Sequence, residues 1–141
     1  MNSKLKGTIA EAVFTAECLK RGWTVSIPYG DNCRYDAVLD RGNGLERIQI
    51  KSSTFSKDTG TIQAATRRIY NNQTKGQVCN AYTKKDIDAF VIYSPELEQL
   101  YYVPIEEQEN KKYINIRVTS STRAINTPKN PSIRWAEKYI L

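Results

Sequence analysis

Histidine is absent from this 141-residue chain. That excludes imidazole general bases, Ser-His-Asp triads, His-metal nuclease sites and most zinc enzymes. Cysteine is scarce: Cys18, Cys33 and Cys79 are odd in number and widely spaced, with no Cys-x-x-Cys pair. They read as free thiols in a reducing compartment, not as a disulfide framework or a structural zinc site. Long apolar runs are also missing. The longest covers residues 89–93, against the roughly 20 apolar residues that a membrane span needs. Residues 1–6 lack the apolar core of a secretory signal, so a cytoplasmic location is expected.

What is present is an ordinary globular balance, 40% apolar and 26% charged, in a length that suits one domain. The net charge is +6. Residues 57–85 and 107–141 are basic, and residues 86–106 carry acids only. Basic segments of this kind would meet a polyanion, with nucleic acid the leading partner. A soluble basic protein without such a partner would show the same sum.

Residues 5–21 have helical periodicity, with Leu5, Ile9, Ala12, Val13, Ala16 and Leu19 forming the expected buried stripe. Gly22 stops it. Residues 23–27 read as a strand. Two β-type runs, 35–39 and 47–51, flank Asp40-Arg41-Gly42-Asn43-Gly44 and predict an antiparallel hairpin. A strand or short helix is expected over 62–70, then a loop over 71–76. Residues 88–93 should form a strand buried on both faces, and 99–105 a returning one. The tail adds a strand over 113–118 and a short helix over 133–139. Together these give an α/β fold with a mixed sheet.

Few catalytic sets survive the loss of histidine. Asp36 opens one strand of the hairpin, and period 2 places Gln49 and Lys51 on one face of the other, away from Ile48 and Ile50. Oxygen ligands can hold a hard divalent ion. Such an ion polarises a phosphate and lowers the pKa of water. A nearby ammonium can stabilise developing negative charge. The spacing also fits a solvated strand face, and a similar set, Asp88 with Glu109-Asn110-Lys111, occurs where no strand pattern would hold it.

Further segments narrow the choice. Pro28-Tyr29-Gly30-Asp31-Asn32-Cys33-Arg34-Tyr35-Asp36 followed by Arg47-Ile48-Gln49-Ile50-Lys51-Ser52-Ser53 resembles the PD-(D/E)XK nuclease superfamily. Gly7-Thr8-Ile9-Ala10-Glu11 is similar to the first helix of these enzymes. Residues 86–96, 101–105 and 134–137 resemble the branch that holds a cyanobacterial group I intron-encoded homing endonuclease. The resemblance covers about residues 7–106 and part of the tail. It implies a restriction-endonuclease-like core, a mixed central sheet flanked by helices. It also implies divalent metal, Mg²⁺ or Mn²⁺, with Glu11, Asp36 and Gln49 as metal ligands and Lys51 as the catalytic lysine. Gln49 departs from the pattern, because that place is usually held by Asp or Glu. An amide oxygen can ligate but brings no charge.

DNA contacts are expected from Arg34, Lys57, Arg67, Arg68, Asn71, Asn72, Gln73 and Lys75, with further cations in the tail. Cations meet phosphates, and amides of this kind read adenine edges. The expected protein is a single nuclease domain over 1–141, its core at about 5–106 and its tail given to DNA contact or oligomerisation. The function expected is site-specific cleavage of double-stranded DNA in the manner of a homing endonuclease, by a homo-oligomer. Tail residues Ile125, Ile133, Trp135, Tyr139, Ile140 and Leu141 could supply the interface or close the core of a monomer. A Holliday-junction resolvase and a catalytically weak DNA-binding module are the other readings.

Overall fold

The computed structural model describes residues 1–118 and 133–141. One α-helix, α1 (Ser3–Lys20), precedes ten strands: β1 (Thr24–Ser26), β2 (Ala37–Asp40), β3 (Leu45–Ser52), β4 (Thr54–Ser56), β5 (Thr61–Ala65), β6 (Arg67–Asn72), β7 (Gly76–Ala81), β8 (Ala89–Ser94), β9 (Gln99–Pro104) and β10 (Tyr113–Arg117). Asn2 caps α1 by accepting from the Leu5 N–H at 2.8 Å. Gly22, at φ 76°, ends it in the left-handed conformation that favours glycine.

The central sheet runs β1-β2-β3-β8-β9, with β3 and β8 parallel and the other pairs antiparallel. A second sheet runs β10-β5-β4, and β6 and β7 form a separate ribbon. All six residues of β8 are buried, as its apolar run predicts. Its side chains alternate between two cores. Ala89, Val91 and Tyr93 join Ala10, Phe14 and Cys18 of α1. Phe90 and Ile92 join Ile62, Ala64, Ile114 and Ile116 of the second sheet. One helix therefore covers one face of the mixed sheet, and a small sheet covers the other. Burying a side chain the size of Phe14 stabilises such a layer by roughly 1.5–3 kcal/mol.

Several expectations are corrected. Leu5 and Leu19 are 47% and 60% exposed, and Ala12 and Ala16 are exposed with them. The covered face of α1 centres on Ala10-Phe14-Cys18, with Ile9 and Val13 of the expected stripe half-buried beside it. Large aliphatics mark a hydrophobic stripe in sequence, but close approach of a helix to a sheet favours small groups such as Ala10 and Cys18 beside one large ring. The segment 62–70 holds the ends of two strands, β5 and β6. The expected loop over 71–76 is the tip of the β6–β7 hairpin: Asn71 and Asn72 end β6, and Gly76 opens β7 at φ 72°. Asn72 Oδ1 accepts from the Thr74 N–H at 2.9 Å and organises that tip. The terminal helix is only a 3-10 turn, Ala136–Lys138.

The tail is part of the core. β10 pairs with β5 along its whole length. Leu141 and Ala136 are buried, and Tyr139 packs against the second core. Ile133 and Trp135 are half-buried, Ile140 is 54% exposed, and Ile125 lies outside the described residues. No helix of the described residues is long and apolar enough to cross a membrane.

Candidate active site

The β2–β3 hairpin aims the site. Its register pairs Ala37 with Ile48, which sets Asp36, one residue earlier, opposite Gln49. The Asp36 N–H donates to the Ile48 carbonyl at 2.8 Å. Its carboxylate turns inward, where Oδ2 accepts from the Ile50 N–H at 2.8 Å and from Gln49 Nε2 at 2.7 Å. Ile48 and Ile50 face α1 in the core. Period 2 leaves Gln49 and Lys51 on the other face.

Glu11, Asp36, Gln49 and Lys51 line one open cleft of about 490 Å³. The first half of α1 contributes Lys6 and Gly7 to its wall, and the second sheet contributes Gln63 and Tyr113. All four site residues expected from sequence are thus brought together. Glu11 reaches the cleft although its residue as a whole is exposed.

The electrostatics are those of a crowded, partly dry site. Burial raises the Asp36 pKa above the usual carboxylate range, against the lowering effects of the Ile50 N–H and the Lys51 charge. Burial also raises Glu11, and the Asp36 charge raises it further. Burial lowers Lys51, with Asp36 pulling the other way. Lys51 Nζ lies 5.9 Å from the centroid of the Tyr82 ring. Tyr82 is itself buried, edge-on to Phe90. Sequence spacing gave no sign of Tyr82, because it comes from the end of the ribbon and reaches Lys51 only through the tertiary fold.

Two carboxylates raised by burial, Glu11 also by the Asp36 charge, with an amide oxygen beside them, are a hard oxygen set of the kind a divalent cation relieves and Mg²⁺ accepts while keeping several waters. Among the described residues no group of three or more acid, cysteine or histidine side chains is placed for a metal. Among the described residues, Glu11 and Asp36 are the only two acids lining this cleft. The second acid set found in sequence is not a site: Asp88 is held by the Arg47 backbone and guanidinium, and Glu109 accepts from the Lys84 N–H.

The expected DNA-contacting residues divide. Arg34 and Arg68 line a second cleft of about 520 Å³ with Tyr70, Asn80, Tyr82 and Lys85. Tyr82 thus stands between this basic cleft and Lys51. Arg34 is also paired with Asp86. Arg67 lies over the Tyr113 ring at 5.0 Å and bonds its hydroxyl. Asn71, Asn72, Gln73 and Lys75 sit at the hairpin tip, and Lys57 in the exposed β4–β5 turn; none of these five lines either cleft. Among the tail cations, Arg134 bonds Gln108 and the Glu107 carbonyl, and Lys111 bonds that same carbonyl. Arg123 and Lys129 lie outside the described residues.

No curated protein matches the chain. Among solved structures it is similar to the bacterial homing endonuclease I-Ssp6803I, with 31% identity over 99% of this chain and 89% of that one, at a TM-score of 0.77. The sequence profile of the PD-(D/E)XK endonucleases matches residues 1–141. A profile match over the whole length, on a fold that gathers the motif residues into one cleft, means that the chain belongs to the PD-(D/E)XK endonuclease family.

Proposed function

We propose that the protein is a site-specific double-stranded DNA endonuclease of the homing type, using a divalent metal, Mg²⁺ or Mn²⁺. The observation that carries this reading is the convergence of Glu11, Asp36, Gln49 and Lys51 in one open cleft. The homing character rests on the likeness to I-Ssp6803I. Nucleases of this family generally use divalent metals.

Glu11, Asp36 and the Gln49 carbonyl oxygen would hold the ion. Bound there, it would polarise the scissile phosphate and make water a better nucleophile. The chain's own groups do the rest. Lys51 presents rotatable N–H donors to the phosphate oxygens as negative charge develops. Tyr82 and the cleft wall keep Lys51 out of bulk water, where its charge would be screened. Gln49 fixes the orientation of Asp36 through its amide N–H. The basic cleft of Arg34, Arg68 and Lys85 gives the duplex a phosphate-binding path beside the site.

One chain offers one such cleft, and a duplex has two strands, so the working form is a homo-oligomer, with a twofold dimer the simplest. The exposed stripe of Leu5, Ala12, Ala16 and Leu19 supports this reading better than the tail does, because Ala136, Tyr139 and Leu141 are engaged in the fold. The chain acts as a single nuclease domain. Its tail completes the second sheet, and its free thiols fit a cytoplasmic location.

The test is incubation with Mg²⁺ and three DNAs: the protein's own coding locus, that locus with the flanking DNA rejoined, and a four-way junction. Cutting of the rejoined locus, lost with EDTA and with Lys51→Ala, is the expected result. Losing one such electrostatic group costs about 100-fold or more in rate. Cutting of the junction alone identifies a resolvase. Binding without cutting identifies the weak DNA-binding module, for which the neutral Gln49 is the motive.

A further inference from the structure

The β4–β5–β10 sheet has two unlike faces. Ile62, Ala64, Ile114 and Ile116 are buried against β8. The opposite face is laid out by register in two rows, Thr54–Gln63–Asn115 and Ser56–Thr61–Arg117. Thr61 and Arg117 are half-exposed and the other four are exposed. Thr54 and Gln63 also line the cleft that holds Asp36 and Lys51, so this face runs directly out of the active site.

These six side chains include no acid and a single cation, Arg117; the rest are amides and hydroxyls. An acid-free surface beside a phosphodiester-cutting site is what a polyanion needs. Amides pair in bidentate fashion with adenine, guanidinium with guanine, and hydroxyls with either type of edge. The dimensions agree. Strands about 4.8 Å apart make the three-stranded backbone about 10 Å wide, close to the ~12 Å major groove. Rows two residues apart along a strand are about 7 Å apart, roughly two base-pair steps.

We propose that the outer face of the β4–β5–β10 sheet reads base edges in the major groove of the duplex next to the scissile phosphate, with Gln63 and Asn115 as specificity-determining residues. The inference deepens the nuclease reading and rests on it for the identity of the ligand as DNA.

The experiment separates reading from cutting. The protein is given a library of duplexes with a randomised stretch, in Ca²⁺ so that binding is observed without hydrolysis, and the bound fraction is sequenced. Wild type is expected to select a defined sequence. Gln63→Ala and Asn115→Ala should each relax the choice at one or two adjacent positions, with discrimination falling about tenfold or more. The salt dependence of binding should stay unchanged, because no phosphate contact is removed. Both side chains are exposed, so unchanged melting temperatures confirm intact folds. Identical selected sequences in wild type and both variants overturn the proposal. So does a uniform loss of affinity with unchanged selection, and so does a wild type that selects no sequence. A wild type that selects a sequence but does not cut it in Mg²⁺ removes the nuclease reading and leaves the proposal standing.

Discussion

Gln49 donates its side-chain amide to Asp36 Oδ2 at 2.7 Å. The residue that stands where an acid is usual therefore serves the motif aspartate as a neutral partner, and it does so while almost wholly buried. A second carboxylate in its place would oppose Asp36 across the same short contact. In the metal-free protein that pairing costs stability, and a bound divalent cation reverses its sign. Gln49→Glu is expected to lower the melting temperature in EDTA and to raise Mn²⁺ affinity about tenfold, since charge count tunes such sites. Calorimetric titration alongside thermal melts checks both. Unchanged affinity would show that position 49 is not a ligand.

The pH dependence follows from the directions of three shifts. Asp36 and Glu11 lie above the usual carboxylate range, chiefly through burial, and burial holds Lys51 below the usual amine range. An acid whose folded pKa is raised contributes stability that is lost as pH rises through that value. A lysine whose folded pKa is lowered contributes stability that is lost as pH falls through its own. Between these limits all three charges cost the metal-free fold. In EDTA, Asp36→Asn should therefore raise the melting temperature more at about pH 7 than at about pH 4, because the neutral amide removes a charge that burial opposes. An equal effect at both pH values would contradict this.

Gly7 stands in the interior of α1, on the cleft wall, and a Cβ there would meet nothing within 4 Å. Glycine at such a position costs about 1 kcal/mol relative to alanine, and no neighbouring atom requires it. Gly7→Ala is expected to stabilise the fold by about that amount and to slow cleavage by putting a methyl group into the space beside Glu11. Denaturant unfolding and single-turnover cleavage measure the two effects. A stability gain with full activity would mean that the cleft does not use that space.

Gln108 is wholly buried and ties its own turn to three other residues. Its Nε2 donates to Thr66 Oγ1 at 2.9 Å and to the Tyr113 carbonyl at 2.7 Å, and its Oε1 accepts from Arg134 at 2.6 Å. Gln108→Leu removes those three hydrogen bonds, leaving Thr66 Oγ1 its bond to the Lys111 carbonyl and Arg134 its bond to the Glu107 carbonyl, at about 1–3 kcal/mol for each group left buried without a partner. The urea midpoint should fall with an unchanged m-value. A loss below about 0.5 kcal/mol would mean that water replaces the side chain.

What was legible in the sequence was local. The Asp40–Gly44 turn signals a hairpin because Gly42 and Gly44 adopt φ of 96° and 126°, and Asp40 Oδ1 accepts from the Gly42 N–H at 2.8 Å. Once that hairpin is fixed, period 2 alone separates Lys51 from Ile50. β8 was legible because both its faces are apolar. The β6–β7 hairpin was not, because no residue of either strand is buried and no alternation marks them. Glu11 could not be placed from periodicity. Ile9 and Val13 pointed to the core but Leu5 and Leu19 away from it, and only the resemblance marked Glu11 as a site candidate. Gln63 and Tyr113 reach the cleft through pairing of β5 with β10, strands about fifty residues apart in the chain, and spacing holds no trace of that.

The parallel pairing of β3 with β8 has a consequence for the order in which this protein comes into being. Ile48 meets Ala89 and Ser52 meets Tyr93. A nascent chain that has emerged only as far as residue 88 already contains Glu11, Asp36, Gln49 and Lys51, yet lacks the strand that seats β3. Long-range parallel pairing is also slow to form. The residues proposed to cut DNA are therefore made early and armed late, and a ribosome stalled before β8 would release a fragment carrying all four of them without the scaffold to use them.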